Sequence, residues 1–220
     1  SPSGIPAESV GSIGLTYMAI VLFHPFLLTI SHTDSIYERE RFNLNKAIFL
    51  DRDGVINEVL SDRVKFVNHP SQLYLLEGAA KAVSLLYNKG FTIFVVTNQG
   101  GVGLGYMKEE MLQRIHQKMI KEIEQEGGRI HEVAYCAHAP YAGCSCRKPE
   151  PGMITALAEK NGINLEHSYM IGDRDVDILA GKSAGAKTIL IGSADHGADY
   201  CFDTLLEAAC WIIKKEENPV

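Results

Sequence analysis

The sequence predicts an α/β fold, a doubly wound parallel sheet with helices on both faces. From residue 46 onward, short apolar runs of strand length alternate with amphipathic runs of helical length. This alternation is typical of βαβ units, whose right-handed crossovers place helices over a buried parallel sheet. Polar and charged residues follow several of the apolar runs. Ligands in such folds bind beyond the carboxyl ends of the strands, so these residues are the candidate functional groups.

Five apolar segments have the length and the β-branched or aromatic content of buried strands. They span residues 46–50, 91–97, 131–136, 168–173 and 187–193. The segments with helical periodicity are residues 75–90, 108–128, 151–162, 175–185 and 203–215. Gly90 and Gly162 are expected to end the first and third helices, because glycine accepts the left-handed backbone found there. Asp203 is the expected N-cap of the last helix.

The composition fits a globular domain and argues against a nucleic-acid partner. The chain has 220 residues, 46% of them hydrophobic, and a mean hydropathy of -0.02. Its formal net charge is -6 and no Lys/Arg-rich run occurs, whereas general nucleic-acid binding requires a basic surface. A small anionic substrate remains compatible with this charge, because a local pocket can be basic on an acidic protein.

Residues 1–44 are predicted to be an extension of uncertain role, and residues 45–220 to form the functional domain. The extension contains an apolar run at residues 14–30. A membrane-spanning helix needs about 20 apolar residues. This run is shorter and has His24 and Pro25 in its middle. We therefore expect a packed arm or a non-native extension, and no membrane partner.

The polar residues after the strands describe a site for a divalent cation and a phosphate. They are Asp51, Asp53, Thr97, Asn98, Arg147, Lys148, Asp173 and Arg174. Mg²⁺ prefers oxygen ligands, so Asp51, Asp173 and the backbone carbonyl of Asp53 are candidate ligands. Asp51 can attack phosphorus to form an aspartyl-phosphate, and Asp53 can protonate the leaving oxygen and later activate water. Lys148 and Thr97 would neutralise the phosphoryl oxygens.

The segment from residue 136 to residue 146 combines thiols and an imidazole at metal-ligand spacing. Its candidate ligands are Cys136, His138, Cys144 and Cys146. Three thiolates and one imidazole make a closed tetrahedral set that suits a structural Zn²⁺, and the alternative is a set of thiols without metal. The loop leads directly into Arg147 and Lys148 and would fix both. Cys201 and Cys210 stand apart and are expected in the core.

Four motifs in order, "FLDRDG", "VVTNQ", "CRKP" and "MIGDRDVD", resemble those of the haloacid-dehalogenase (HAD) superfamily of aspartate phosphatases. The resemblance covers about residues 46–215. It implies that Asp51 is the nucleophile, Asp53 the general acid/base, Thr97 a phosphate binder, Lys148 the motif lysine and Asp173 a magnesium ligand. Asp177 fits the second acid of the last motif, and with Arg174 is expected to support the site.

The cysteine loop resembles that of a zinc-containing branch of the superfamily that lacks a large cap domain. No segment here is long enough to form such a domain. "AIFLDRDGVIN", "VVTNQGGVGLG" and "CRKPEPGM" are similar to phosphatases of a heptose 1,7-bisphosphate, which remove the 7-phosphate. The short zinc loop and "GDR" are closer to histidinol-phosphate phosphatases. The first resemblance implies substrate contacts from Asn98, Arg147 and Lys148, with Arg147 well suited to a second phosphate.

We therefore expect a cytoplasmic, monomeric, Mg²⁺-dependent phosphatase of a small phosphorylated metabolite. A sugar bisphosphate is the first candidate substrate and histidinol phosphate the second. A cysteine cluster that includes a histidine favours metal over disulfides, and a reducing compartment. A DNA 3′-phosphatase is disfavoured by the lack of a basic stripe. A zinc-stabilised binding module is disfavoured because Asp51, Asp53, Lys148 and Asp173 are all present.

Overall fold

The computed structural model describes residues 45–194 and 196–218, which form a parallel sheet covered by helices. The strands are β1 (Ala47–Leu50), β2 (Thr92–Asn98), β3 (Glu132–Cys136), β4 (Tyr169–Gly172), β5 (Lys187–Ile191) and β6 (Tyr200–Phe202). Their order across the sheet is β3-β2-β1-β4-β5-β6, and every neighbouring pair is parallel. The N-terminal extension, with its apolar run, lies outside the described residues.

A helix lies between each pair of successive strands from β1 to β5, and the last helix follows β6. The helices are α1 (Ala79–Asn88), α2 (Gly100–Gly103), α3 (Glu109–Gln125), α4 (Gly152–Asn161), α5 (Asp175–Ala184) and α6 (Leu205–Glu217). All but the short α2 were predicted from the sequence. Two short 3₁₀ turns occur at Pro70–Gln72 and Leu165–His167. None of these helices is both long and apolar enough to cross a bilayer.

Side chains of β1 alternate between two cores, one on each face of the sheet. Ile48 and Leu50 pack into the larger core, which α1, α3 and α6 cover. Ala47 and Phe49 pack into the smaller core, which α4 and α5 cover. All four residues are buried, so the predicted sheet with helices on both faces is confirmed.

The strand order creates a crevice at the carboxyl end of β1. This strand pairs with β2 on one side and with β4 on the other. The crossover helices after β2 and β4 therefore diverge to opposite faces, which opens a site where the strand order reverses. Asp51 follows β1, Thr97 and Asn98 end β2, and Asp173 follows β4, so the motif residues gather there.

Three local predictions are wrong. β6 was not expected, because a strand of three residues on the sheet edge has no apolar run to indicate it. Thr204, not Asp203, caps α6, since the Thr204 hydroxyl accepts a hydrogen bond from the Glu207 amide at 3.2 Å. Cys201 and Cys210 are exposed and not in the core, because Cys201 lies on the edge strand and Cys210 on the outer side of α6.

Candidate active site

Asp51 lies at the carboxyl end of β1, in direct contact with the lysine of the third motif. Its amide donates a hydrogen bond to the Ile171 carbonyl at 2.9 Å, which fixes the backbone against β4. Lys148 Nζ is 2.7 Å from Asp51 Oδ1 and 2.6 Å from Asp177 Oδ1. The same ammonium donates to the Val96 carbonyl at 2.7 Å. A buried lysine thus bridges two buried carboxylates, and its three N–H groups reach acceptors at the end of β1, in β2 and in α5.

Asn98 fixes the backbone of that lysine. Its Oδ1 accepts a hydrogen bond from the Lys148 amide and its Nδ2 donates to the Lys148 carbonyl, both at 3.0 Å. The Asn98 side chain therefore pairs with the backbone of Lys148 as a neighbouring β-strand would. The sequence predicts Asn98 as a substrate contact, and the structure shows this additional task, although Asn98 also lines the adjoining cleft.

Three carboxylates form the group most able to hold a cation. Oxygen atoms of Asp51, Asp173 and Asp177 lie within 4.8 Å of one another. Asp173 Oδ1 is buried and has no hydrogen-bond partner among the described residues. An unpaired buried carboxylate oxygen beside two other acids is a ligand position that suits Mg²⁺.

The charges at this group support the same conclusion. Burial raises the pKa of Asp51 to about 7, helped by the charges of Asp177 and Asp53 and opposed by Lys148. Burial, followed by the charge of Asp177, raises the pKa of Asp173 to about 6. One ammonium among three acids leaves an excess of negative charge, which a divalent cation would neutralise.

Asp53 is held apart from that group. Arg52 donates to both of its carboxylate oxygens, Asn57 Nδ2 donates at 2.9 Å and Gln99 Nε2 at 3.0 Å. Burial acts to raise the pKa of Asp53, but the Arg52 charge and these hydrogen bonds outweigh it and leave the pKa below its ordinary value. The acid that joins Asp51 and Asp173 is therefore Asp177, and Asp53 can offer a cation only its backbone carbonyl, as the sequence predicts.

A cleft of about 680 Å³ opens beside Asp53 and Gln99. Arg147 lines it, and its buried Nη1 has no partner among the described residues. A guanidinium nitrogen without a partner at a cleft wall is suited to an anionic group. The outer walls are apolar and are formed by Val59, Phe66, Val67, Leu104, Tyr106, Met107 and Pro140.

Two predicted residues have other surroundings. Thr97 is buried, and its hydroxyl accepts a hydrogen bond from Gln99 Nε2 at 2.9 Å. Arg174 is exposed and lines a second cleft of about 390 Å³, which adjoins the first at Asn98 and Arg147. The Arg174 amide donates to Asp177 Oδ2 at 3.1 Å, so Asp177 both holds Lys148 and caps α5.

The four predicted zinc ligands also come together. The Cys136 Sγ is 3.5 Å from His138 Nδ1 and 3.6 Å from Cys144 Sγ. The Cys146 Sγ is 3.2 Å from His138 Nδ1 and 3.5 Å from Cys144 Sγ. A tetrahedron with metal–sulfur bonds of about 2.3 Å has edges of about 3.8 Å, so these spacings fit a zinc ion.

Sequence reasoning missed the three residues that hydrogen-bond to Asp53 and the histidine that contacts one of them. Arg52, Asn57 and Gln99 were given no role, although they lie within or beside the recognised motifs, and His116 was expected to be a surface or packing residue. Gln99 follows Thr97 in "TNQ" and Arg52 separates the two acids, which is a signal that could have been used. His116 lies on α3, far along the chain, and nothing in its spacing indicates the contact.

The fold and this set of acids with a buried lysine define a phosphatase of the HAD superfamily. Residues 145–208 match the model of the HAD-hydrolase-like family. The enzyme class that the motifs predict is therefore confirmed.

Comparison with known proteins narrows the class further. A D-glycero-β-D-manno-heptose-1,7-bisphosphate 7-phosphatase of Neisseria meningitidis is 34% identical over 186 residues, which are 79% of this chain and 98% of the relative. The enzyme of the same name from Helicobacter pylori is 35% identical over 153 residues, or 68% of this chain and 84% of the relative. This chain belongs to the D-glycero-β-D-manno-heptose-1,7-bisphosphate 7-phosphatase family.

A solved structure supports the same assignment. The D,D-heptose 1,7-bisphosphate phosphatase of Bordetella bronchiseptica, crystallised with magnesium and phosphate, is 31% identical. It superposes with a TM-score of 0.71 over 77% of this chain and 99% of its own.

Proposed function

We propose that this chain removes the 7-phosphate of D-glycero-D-manno-heptose 1,7-bisphosphate through an aspartyl-phosphate on Asp51. The observation that carries this proposal is the contact of Asp51 with Lys148 inside the group of three acids, near a cleft that Asp53 and Arg147 line and that contains an unpartnered arginine nitrogen. The family to which the chain belongs acts on this bisphosphate, and relatives match it over most of their length.

Phosphoryl transfer proceeds in two steps that use the two acids of the first motif. A carboxylate oxygen of Asp51 attacks phosphorus as the bond from phosphorus to the ester oxygen breaks. Asp53 is ionised in the unliganded site because its pKa lies below the ordinary value, so it takes up the proton that the phosphate monoester brings and gives it to the ester oxygen. Asp53 then takes a proton from water, which attacks the aspartyl-phosphate and releases inorganic phosphate. The Thr97 hydroxyl, which only accepts from Gln99, can donate to a phosphoryl oxygen. The positive charge of Lys148, whose three donors reach Asp51, Asp177 and the Val96 carbonyl, stabilises the transferring group electrostatically.

Asp51, Asp173 and Asp177, with the Asp53 carbonyl, would hold magnesium. When bound, the ion neutralises charge on the phosphoryl oxygens and on the crowded carboxylates. The unpartnered Asp173 Oδ1 supports this assignment.

Arg147 is the proposed partner of the second phosphate. Arg147 lines the cleft and Asp51 does not, so the phosphate that Arg147 binds would lie in the cleft rather than at Asp51. A guanidinium makes two parallel hydrogen bonds to a phosphate, which would orient the sugar as well as bind it.

Cys136, His138, Cys144 and Cys146 are the proposed ligands of a structural zinc ion. The ligand spacings support it, and the chemistry of three thiolates and one imidazole favours zinc over magnesium. Cys146 directly precedes Arg147 and Lys148, so a zinc ion here would fix the positions of these two side chains.

The proposed partner of the chain is a small phosphorylated metabolite, and its proposed state is a cytoplasmic monomer without nucleic-acid or membrane partners. The thiol cluster fits a reducing compartment. Sedimentation of the purified full chain would measure its mass in solution.

Histidinol phosphate is the second candidate substrate. The observation that favours it is the apolar outer wall of the cleft, since an imidazole ring presents an apolar face to Phe66 or Tyr106. A sugar bisphosphate, in contrast, uses the free nitrogen of Arg147.

Phosphate release in the presence of Mg²⁺ distinguishes the two substrates. We expect a large preference in kcat/KM for the heptose bisphosphate, loss of turnover on treatment with EDTA, and recovery when Mg²⁺ is restored. Asp51→Asn is the blank. A preference for histidinol phosphate would assign the apolar wall to substrate binding, and turnover of neither ester would contradict the proposed function.

A further inference from the structure

Arg52 is a charged side chain without direct access to solvent. It is 1% exposed, although it lies between Asp51 and Asp53 in the sequence and is among the residues that line the cleft. Its Nη2 donates to Asp53 Oδ1 at 2.9 Å and to Oδ2 at 2.8 Å, and its Nε donates to Oδ1 at 3.1 Å. A fork that covers one carboxylate this completely has little capacity left for a substrate phosphate.

The remaining nitrogen of Arg52 contacts a histidine on another element. Arg52 Nη1 is 3.3 Å from His116 Nε2. Arginine can only donate, so the histidine nitrogen accepts and the imidazole proton lies on Nδ1. His116 is 3% exposed and its ring packs on that of Tyr135 at 5.6 Å between centroids. Helix α3 thus presents a buried neutral acceptor to the guanidinium.

The electrical surroundings of His116 keep it in that form. Burial, followed by the positive charge of Arg52, lowers the pKa of His116 to about 3, and the charge of Asp53 opposes this only in part. Tyr135 on β3 is a further ionisable neighbour of His116, and its hydroxyl donates to Glu109 at 2.5 Å.

We propose that His116 is a positioning residue for proton transfer: through Arg52, it fixes the orientation of the Asp53 carboxylate toward the leaving oxygen. This inference rests on the proposed function of the chain. Asn57 and Gln99 hold the same carboxylate from other directions. The contact at Nη1 anchors the guanidinium from the side opposite Asp53, which narrows the freedom that the long arginine side chain retains when only Asp53 holds it.

The chemistry of the leaving group separates this role from simple packing. A sugar alkoxide leaves readily only when Asp53 protonates it as the phosphorus–oxygen bond breaks. A p-nitrophenolate leaves as the anion and needs no proton. A misplaced Asp53 therefore slows hydrolysis of the alkyl ester more than that of p-nitrophenyl phosphate, whereas a damaged fold slows both alike.

The test compares His116→Leu with His116→Gln in the full chain with Mg²⁺. For His116→Leu we expect the ratio of kcat/KM for the heptose bisphosphate to that for p-nitrophenyl phosphate to fall about tenfold, less than the roughly 10²–10⁴-fold of a lost general acid, because Asp53 itself remains. Gln Oε1 can accept from Arg52 at a similar reach, so His116→Gln should restore most of the ratio. Melting temperatures report whether each variant is folded.

A double-mutant cycle with Asp53→Asn completes the test. If His116 acts through Asp53, His116→Leu has no further effect on the ratio once Asp53 is replaced. An unchanged ratio in folded His116→Leu, or an additive effect in the double variant, would overturn the inference. If the unmodified chain hydrolyses neither ester, the proposed function fails instead.

Discussion

Gly54 lies directly behind the acidic group, and space as well as backbone angle requires a glycine there. Its φ is +88°, in the left-handed region, and a Cβ at this position would lie 2.1 Å from Asp173 Oδ2. Any side chain would displace the carboxylate that offers an unpaired oxygen to magnesium. In the "DRDG" motif the two acids are therefore the proposed reactive groups, and the glycine leaves the space that the Asp173 carboxylate occupies.

Replacing this glycine should weaken magnesium binding more than it weakens the fold. Gly54→Ala adds backbone strain of about 1–2 kcal/mol and pushes Asp173 away. We expect a higher Mg²⁺ concentration for half-maximal phosphatase activity. Gly90→Ala is the matched control, since its φ is +94° and nothing lies within 4 Å of the added Cβ. Equal Mg²⁺ requirements in the two variants would contradict this account of Gly54.

Single residues also show where sequence reasoning ends. The acids and Lys148 could be predicted from the sequence because they belong to motifs that occur in a characteristic order. The contacts around Asp53 could not be predicted in the same way. Arg52 and His116 lie 64 positions apart and meet only because α3 packs on the sheet. Asn98 was predicted as a polar residue of the site. Its two hydrogen bonds to the Lys148 backbone could not be predicted, because they form only when a loop distant in sequence approaches β2.

Among the elements, the loop after β3 contributes most to the site. It carries three of the four candidate zinc ligands, the fourth being Cys136 at the end of β3, and it leads to Arg147 and Lys148. Its turns rely on a metal or on buried thiols, because the segment has no helix or strand of its own. The sequence predicts this element well, since ligand spacing is local. It misses β6 and the cap of α6, because a short edge strand leaves little pattern.

Removal of one zinc ligand should act on stability and catalysis together. For Cys144→Ser we expect loss of bound zinc, a lower melting temperature and reduced kcat/KM, because metal binding contributes to folding free energy and the loop positions Lys148. Cys201→Ser, at an exposed thiol outside the cluster, is the control. Metal analysis with thermal melting checks both, and an unchanged zinc content in folded Cys144→Ser would refute the structural zinc.

At the scale of the whole molecule, topology brings distant motifs together. Strands β2, β1 and β4 are neighbours in the sheet but are separated along the chain. Their carboxyl ends place Asp51, Thr97 and Asp173 at one crevice, and the loop after β3 adds Lys148. The parallel sheet and the meeting of the motif residues at its strand ends were predicted from alternation and motif order, whereas the order of the strands was not predicted. The apolar cleft wall was not, since it is assembled from loops whose paths the sequence does not determine.

The most direct test is to find the phosphoryl group on Asp51. Asp53→Asn should slow hydrolysis of the intermediate, and p-nitrophenolate needs no proton to leave, so this variant is mixed with p-nitrophenyl phosphate and Mg²⁺, quenched in acid and mapped by mass spectrometry. The account predicts one phosphoryl adduct on the peptide that contains Asp51, and none in the Asp51→Asn/Asp53→Asn double variant. An adduct on another residue, or phosphate release by the Asp53→Asn variant with no adduct at any time, would contradict it.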